Sequence, residues 1–497
     1  MFSKADTDQD GRITISKTDP QDAPPPDDAR MPPVESRQPL QSRTAVNSNE
    51  RPPNIVFILI DDMGWKDVGF AGNTFVETPH IDRLASTGIQ FTMAYASAPN
   101  CAPTRACLMS GQYTPRHGVY TVIDPRHDPG QSHHRIISAR SEESLSGETV
   151  TIAEVLQDRG YATACFGMWN LGRGRDGPAT ATGQGFDVYR KPQDLGFSQN
   201  SYFATDGRYL TDVLFDEGLR FIEQCADKPF FLYLPTHAVH APFEPKSELL
   251  EKYRKKSRRL GLDDEDPVYA AMIEAVDQNV GRLLAHLERQ QLADNTLVVF
   301  TSDNGGTPQY VAPLNGSKGA LYEGGIRVPC AVWWKGIENP GRTCDEPVLS
   351  MDFYPTLAEL SGANLPARQP IDGVSLVPIL RQSGNLNREA VYWHFPCYIG
   401  RGEPCSSVRA GDWKLIQKFE DQSVELFNLH DDPGESENLA QSNPDKAHQM
   451  LRLLTDWQKS LNAPSPSESN PAFDASTVRR GQRGGKRGNG SKSRTSQ

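Results

Sequence analysis

Three features of the sequence predict an α/β fold: unbroken apolar runs recur along the chain, amphipathic helical stretches separate them, and polar residues follow each run at once. Strands buried on both faces read as continuous apolar segments. Helices between consecutive strands are what a mostly parallel sheet covered on both sides requires. The candidate strands are Asn54 to Ile60, Tyr161 to Phe166, Phe230 to Leu234 and Thr296 to Thr301, with helices such as Thr151 to Arg159 and Tyr269 to Gln290 between them. In open sheets of this kind ligands bind beyond the carboxyl ends of the strands. The residues to interrogate are therefore Asp61-Asp62, Gly167 to Gly172, Thr236 to His240 and Ser302-Asp303-Asn304.

On either side of this body, 53–387, the texture changes. Past Arg388 come the shorter strands Ala390 to Phe395, Asp412 to Phe419 and Val424 to Leu429, then a helix near Pro444 to Leu461, which predicts a small α+β subdomain over 388–463. From Pro464 onward Pro, Ser and Gly dominate, as expected of a disordered tail over 464–497. At the other end, Asp6-Thr7-Asp8-Gln9-Asp10-Gly11 repeats the first half of an EF-hand calcium loop, within a segment spanning 1–18. Lys17 stands where that loop needs a bidentate Glu, so weak or no calcium binding is expected there. Residues 19–52, rich in Pro, Asp, Ser and Arg without apolar periodicity, form a linker.

The net charge of −11 conceals a basic tail: Arg479 to Gln497 holds seven Lys or Arg and no acid, leaving −18 on the rest. Such a run reads as a solvated end, and no nucleic-acid partner is expected. No apolar run approaches the roughly 18 residues of a membrane helix, so no membrane partner is expected either, and the first residues lack a signal-peptide pattern. Eight cysteines over 497 residues make no disulfide framework. Only Cys397 and Cys405 are close enough in sequence to suggest a loop-closing bridge.

Asp61, Asp62, Asp303 and Asn304, brought together from two strand ends, would offer four oxygen donors. Without His or Cys among them, such a set selects Ca2+, with Mg2+ second, over zinc. In Cys101-Ala102-Pro103-Thr104-Arg105 the Pro suits the first turn of a helix, which puts Cys101 beside a helix N-terminus that favours an anion. Arg105 adds a fixed cation, and the whole has the features of a nucleophile facing sulfate or phosphate. Cys-x-Pro-x-Arg alone arises by chance in about two per cent of chains this long, so it needs company.

That company exists in series. Asn54 to Asp62 with Met63-Gly64, Cys101 to Arg105 with Gly111-Gln112-Tyr113, Thr151-Ile152-Ala153 leading to Gly160-Tyr161, and Thr301 to Gly305 are followed by Gly316-Ser317-Lys318-Gly319, Glu323 to Pro329 and Asp372 to Leu376. In this order they make the chain, over most of Pro53 to Asp474, resemble the type I, formylglycine-dependent sulfatases of the alkaline-phosphatase superfamily. The resemblance implies an alkaline-phosphatase-like sheet sandwiched by helices, a C-terminal subdomain with an antiparallel sheet, and hydrolysis of a sulfated carbohydrate or aryl sulfate. It also implies that a maturation enzyme oxidises Cys101 to formylglycine, whose hydrated aldehyde attacks sulfur and forms a covalent sulfate ester beside the metal. The modified Cys101 would join Asp61, Asp62, Asp303 and Asn304 around the ion. Asp303 would accept the nucleophile's proton, His240 in Ala238-Val239-His240-Ala241-Pro242 would protonate the leaving oxygen, and Arg105 and Lys318, with His240, would hold the sulfate. Family members are usually exported, which favours a periplasmic or secreted enzyme and, with the half EF-hand, a clipped or misassigned start.

One segment departs from the family. Its Gly-Lys-Trp-His-Leu-Gly stands here as Gly167-Met168-Trp169-Asn170-Leu171-Gly172. The family Lys contacts sulfate, and the family His is the base that releases sulfate and regenerates the aldehyde; Met168 carries no charge and Asn170 takes no proton at neutral pH. Losing a charge-assisted hydrogen bond costs about 1.5–3 kcal/mol, and losing a general base about 10²–10⁴-fold in its step. Three outcomes follow: His237 or His117 replaces the base, the enzyme is slow to shed sulfate, or the chain only binds sulfated glycans. A phosphodiesterase or phosphonate monoester hydrolase of the same superfamily is the alternative chemistry, and the matches around Lys318 and Gly411 to Leu415 favour sulfatase. With Cys101, Arg105, His240, Asp303 and Lys318 all present, the sequence predicts an enzyme limited by sulfate release rather than by attack on sulfur.

Overall fold

The structure is a computed structural model that describes residues 51–127, 131–172, 177–199, 201–225, 227–262, 265–399 and 402–475. The EF-hand-like segment, all of the linker except residues 51–52, and the basic end of the tail lie outside the described residues. Eight strands form the main sheet in the order Val188–Arg190, Ala162–Phe166, Phe230–Pro235, Asn54–Ile60, Thr296–Ser302, Cys330–Trp333, Ile89–Phe91, Arg342–Cys344. The first five are mutually parallel, and Cys330–Trp333 runs antiparallel to both its neighbours. The four predicted strands are all present, within a residue of their expected ends.

Alternation within the central strand Asn54–Ile60 explains why it reads as wholly apolar. Val56, Ile58 and Ile60 pack on one face, in the core that includes Met272, Val276 and Leu283 of the helix Pro267–Arg289. Ile55, Phe57 and Leu59 pack on the other, with Ile152, Leu156 and Phe353. Both covering helices begin where the sequence supplies a cap. Asp266 accepts the backbone N–H of Val268 and Tyr269, and Thr151 and Glu154 close a reciprocal capping box at the start of Ile152–Asp158.

The C-terminal subdomain is a four-stranded antiparallel sheet, Val391–Phe395, Cys405–Ala410, Trp413–Lys418 and Val424–Asn428, with the helix Pro444–Ser460 against it. The strand Cys405–Ala410 was not anticipated, because its residues Cys-Ser-Ser-Val-Arg-Ala lack an apolar run although Ser406 and Ser407 are fully buried. It also corrects the expected bridge: Cys397 and Cys405 are both free, and the Cys397 thiol points to Ala139 O instead. The expected tail boundary moves as well. Residues 468–474 are docked, with the N–H of Asn470 and Asp474 donating to Arg135 O and Ser132 O, and Ile137 N–H donating to Glu468 O. No helix among the described residues is long and apolar enough to cross a membrane.

A buried ion cluster fastens the subdomain to the main body. Lys414, on the second sheet and fully buried, lies 2.9 Å from Glu323 and 2.8 Å from Glu435, while Glu323 also accepts Tyr95 Oη at 2.8 Å. Removing the cation would leave two carboxylates facing each other out of water, which costs about 3–5 kcal/mol. Lys414→Met is expected to lower the urea unfolding free energy by about that much, and adding Glu435→Gln to recover part of it. An unfolding midpoint unchanged by Lys414→Met would show that the cluster does not hold the subdomain.

Candidate active site

Three strand ends and one helix start meet at the carboxyl edge of the main sheet. Asp61 and Asp62 follow Asn54–Ile60, Asp303 and Asn304 follow Thr296–Ser302, and His237 and His240 follow Phe230–Pro235. Cys101 is the first residue of the helix Cys101–Ser110, every residue of which is buried. The backbone ties these ends to one another: Asp303 N–H donates to Ile60 O at 3.0 Å, and Asp61 N–H to Ala238 O at 2.9 Å. Asp62 takes a left-handed φ of 64°, which Asp tolerates better than most residues.

Arg105 stands one turn into the helix and is fully buried. Its Nε and Nη2 donate to Asp303 Oδ2 at 3.0 and 2.6 Å, its Nη2 also to Asp61 Oδ2 at 3.1 Å, and its Nη1 to Met168 O. Lys318 Nζ reaches Asp62 Oδ1 at 2.5 Å, and Asn304 Nδ2 donates to the same oxygen at 2.8 Å. His240 Nε2 lies 3.8 Å from Asp62 Oδ2. Its Nδ1 meets Ala241 O at 2.6 Å; a carbonyl only accepts, so Nδ1 carries a proton and Nε2 faces the site.

The sequence-derived set thus converges. Ligand atoms of Asp61, Cys101 and Asp303 lie within 4.8 Å of one another, as do those of Asp61, Asp62 and His240. Burial pushes the carboxyls of Asp61 and Asp303 upward, and their neighbouring acids add to it while Arg105 opposes. Two oxygens, Asp61 Oδ1 and Asn304 Oδ1, are buried with no hydrogen-bond partner. Unpaired buried oxygens beside crowded carboxylates fit a cation made for oxygen ligands. The Cys101 thiol, which donates to Asn100 Oδ1 at 3.2 Å, is pushed up to about 12 by burial.

Beside this cluster is a cavity of about 250 Å³ whose walls include Met168, Asn170, His237, Lys191 and Gln199. Two long connections contribute unequally to its walls. The 173–201 loop supplies Lys191 and Gln199, whereas the 121–146 loop supplies only Val122 and Glu143. Its basic residues turn elsewhere: Arg126 pairs with Asp124, Arg135 with Glu420 and Arg140 with Glu142, and His134 stacks on Tyr398. The two candidate replacement bases separate cleanly. His117 is committed to Val119 N–H through Nδ1 and lies against Cys107 through Nε2, away from the cavity, whereas His237 lines it. Sequence reasoning missed Tyr202, whose hydroxyl lies 2.7 Å from both His237 O and His240 O and fastens the histidine loop. Nothing in the local sequence signals that contact.

The comparisons with known proteins agree with this geometry. A sulfatase family model matches residues 53–363, and a model of the N-sulphoglucosamine sulphohydrolase C-terminal region matches 317–461. The chain is 34% identical to a sulfatase of Formosa agariphila, over 85% of this chain and 92% of that protein. It is 30% identical to arylsulfatase A of Homo sapiens, over 82% and 87%. Among solved structures, Ps i-CgsB superposes with a TM-score of 0.71 at 29% identity, covering 88% of this chain and 98% of that one. A phosphonate monoester hydrolase of Agrobacterium radiobacter shares the fold at a TM-score of 0.61 and 21% identity. With the sulfatase model spanning most of the folded body and the acid cluster, Cys101 and Arg105 in one site, the chain belongs to the sulfatase family of sulfuric ester hydrolases, within the alkaline-phosphatase superfamily.

Proposed function

We propose that the protein removes sulfate from a sulfated saccharide, with Cys101 matured to formylglycine by a sulfatase-maturing enzyme and Ca2+, or failing that Mg2+, held by Asp61, Asp62, Asp303 and Asn304. The observation that carries this reading is the pair of buried unpartnered oxygens, Asp61 Oδ1 and Asn304 Oδ1, in the cluster that also holds Cys101. When bound, the ion supplies charge that polarises sulfate oxygens; when matured, Cys101 supplies a hydrated aldehyde in place of a thiol. The unmodified thiol is a poor nucleophile here, because at about 12 it holds almost no thiolate at neutral pH.

The chain's own groups divide the remaining work. Arg105, locked on Asp61 and Asp303, presents a fixed guanidinium at the helix start and supports the charge of the bound sulfate. Lys318 does the same from the opposite bank; burial works against its charge, but Cys101 and the three acids hold its ammonium well above the usual range. Asp303 receives the nucleophile's proton, which the upward push on its carboxyl favours. His240, about one-third exposed at the mouth, gives a proton from Nε2 to the departing sugar oxygen, with Asp62 Oδ2 3.8 Å from that nitrogen.

The saccharide reading is supported by Ps i-CgsB, whose structure in complex with k-i-k-neocarrahexaose matches at 29% identity and a TM-score of 0.70. It is supported too by the polar walls of the adjoining cavity, where Lys191, Gln199 and Ser198 suit hydroxyls and a second anionic group. The family resemblance extends the proposal to a periplasmic or secreted enzyme.

Three results are expected. Coexpression with a maturation enzyme should convert the peptide containing Cys101 to the aldehyde form by mass spectrometry, and an unmodified thiol would point to a glycan binder. Calcium at 100 times its dissociation constant should stabilise the native chain by about 2.7 kcal/mol in thermal unfolding, and Asp61→Asn should lose most of that gain. Stopped-flow with a chromogenic aryl sulfate should show a burst followed by slow turnover, because Met168 and Asn170 stand where the family has Lys and His. Linear progress at rates typical of the family would contradict that, as would failure of Met168→Lys with Asn170→His to speed the slow phase at least tenfold.

A further inference from the structure

Three of the described histidines have a ring held by a hydrogen bond. His240 is held by Ala241 O, His394 by Ser406 Oγ and His117 by Val119 N–H. His237 differs: it is 6% exposed, yet neither Nδ1 nor Nε2 has a partner. An unpaired buried polar group costs about 1–3 kcal/mol, so a side chain that leaves two unpaired is held there for a reason other than folding. Its surroundings supply one. His237 lines the same cavity as Met168 and Asn170, the two residues in which this chain departs from its family. Its ring stacks on that of His240 at 5.2 Å, which joins it to the acid cluster. Its backbone is fixed by Tyr202 Oη on His237 O at 2.7 Å, so the imidazole is presented from a rigid turn.

We propose that His237 is the proton acceptor for sulfate release, taking the place that Asn170 cannot fill; the inference rests on the sulfatase reading above. A proton leaves the hydroxyl on the carbon that bears the sulfate and passes to a ring nitrogen of His237. The freed O–H pair closes the carbon–oxygen double bond, and the bond from that carbon to the sulfate oxygen breaks, its pair departing with sulfate. Water then rehydrates the aldehyde, and His237 returns its proton to solvent through the cavity. The ring is available for this at neutral pH. Burial pulls it down to about 4, His240 and Arg105 add to that, Asp62 opposes, and Lys318 adds to it again. The same depression makes it a weak acceptor, which gives sulfate release a reason to be slow rather than absent.

The test uses the full-length matured, calcium-loaded enzyme with an aryl sulfate and reads burst and steady state separately. His237→Asn, and His237→Gln as a second variant, should keep the burst while the steady-state rate falls by about 10²-fold. Intact mass after acid quench should show a sulfate adduct on nearly every molecule of the variants during turnover. Adding Asn170→His to His237→Asn should restore the steady state, a rescue that a merely structural histidine would not show. Histidine NMR of the full-length protein with Cys101 unmodified gives a readout that needs no turnover: the His237 ring should stay neutral from pH 6 to 8. A burst with an unchanged steady state in both variants, or a ring already protonated at pH 7, would overturn this inference and leave the sulfatase reading intact. Absence of a burst and of any sulfate adduct in the unsubstituted enzyme, with no sulfate released, would overturn both.

Discussion

The guanidinium of Arg105 is the interaction on which the site depends. It is fully buried, and its donors are spent on Asp303, Asp61 and the carbonyl of Met168. Those three acceptors follow three different strands, so one side chain fixes the relative positions of the ends of Asn54–Ile60, Thr296–Ser302 and Ala162–Phe166. Because Arg105 is one turn after Cys101 on the same helix, the contact also sets where Cys101 sits. A lysine could hold the charge but not three partners in a planar fork. The carbonyl of Met168 rather than its side chain is used, which is why the segment keeps its place in the site although the side chain there is apolar.

Charge balance then dictates what else must be present. Asp61, Asp62 and Asp303 crowd one buried corner, and Arg105 with Lys318 offsets two of the three. Burial disfavours the charged forms of Asp61 and Asp303, and neighbouring acids raise the cost further. The residual charge, together with the unpartnered Asp61 Oδ1 and Asn304 Oδ1, is what a divalent ion would neutralise. The arrangement is unfavourable for folding alone, and the two well-packed faces of the sheet tolerate it because they bury aliphatic residues along almost every central strand.

How much of this was legible in the sequence follows from the same physics. The central strands could be read because burial on both faces leaves them mostly apolar, and the acids could be read because they stand directly after those runs. Two short strands at one side of the main sheet and one subdomain strand were hidden for opposite reasons. Ile89–Phe91 and Arg342–Cys344 have three residues each, too few to show a period, and Cys405–Ala410 buries serines inside a sheet whose apolar contacts come from Val408 and its neighbours. The docking of 468–474 on the loop at 131–137 is made by backbone hydrogen bonds, which composition does not encode. The choice between His117 and His237 was also closed to sequence, since only tertiary placement puts one against Cys107 and the other in the cavity.

On the proposed reading, the departure at Met168 and Asn170 bears on rate more than on architecture. Neither side chain takes part in the Arg105 clasp, and Asn170 adopts a left-handed φ of 57° that suits Asn better than most residues. The exchange costs the fold little while removing a cation and a base from the wall of the cavity. What stays on that wall is an imidazole with both nitrogens free, kept neutral by the burial and positive neighbours that let the site hold sulfate. Under the proposed function, the positive charge of Arg105 and Lys318 that favours a bound anion also depresses a nearby base, so tight sulfate binding and quick proton removal oppose each other. On that reading the balance in this chain lies on the side of binding.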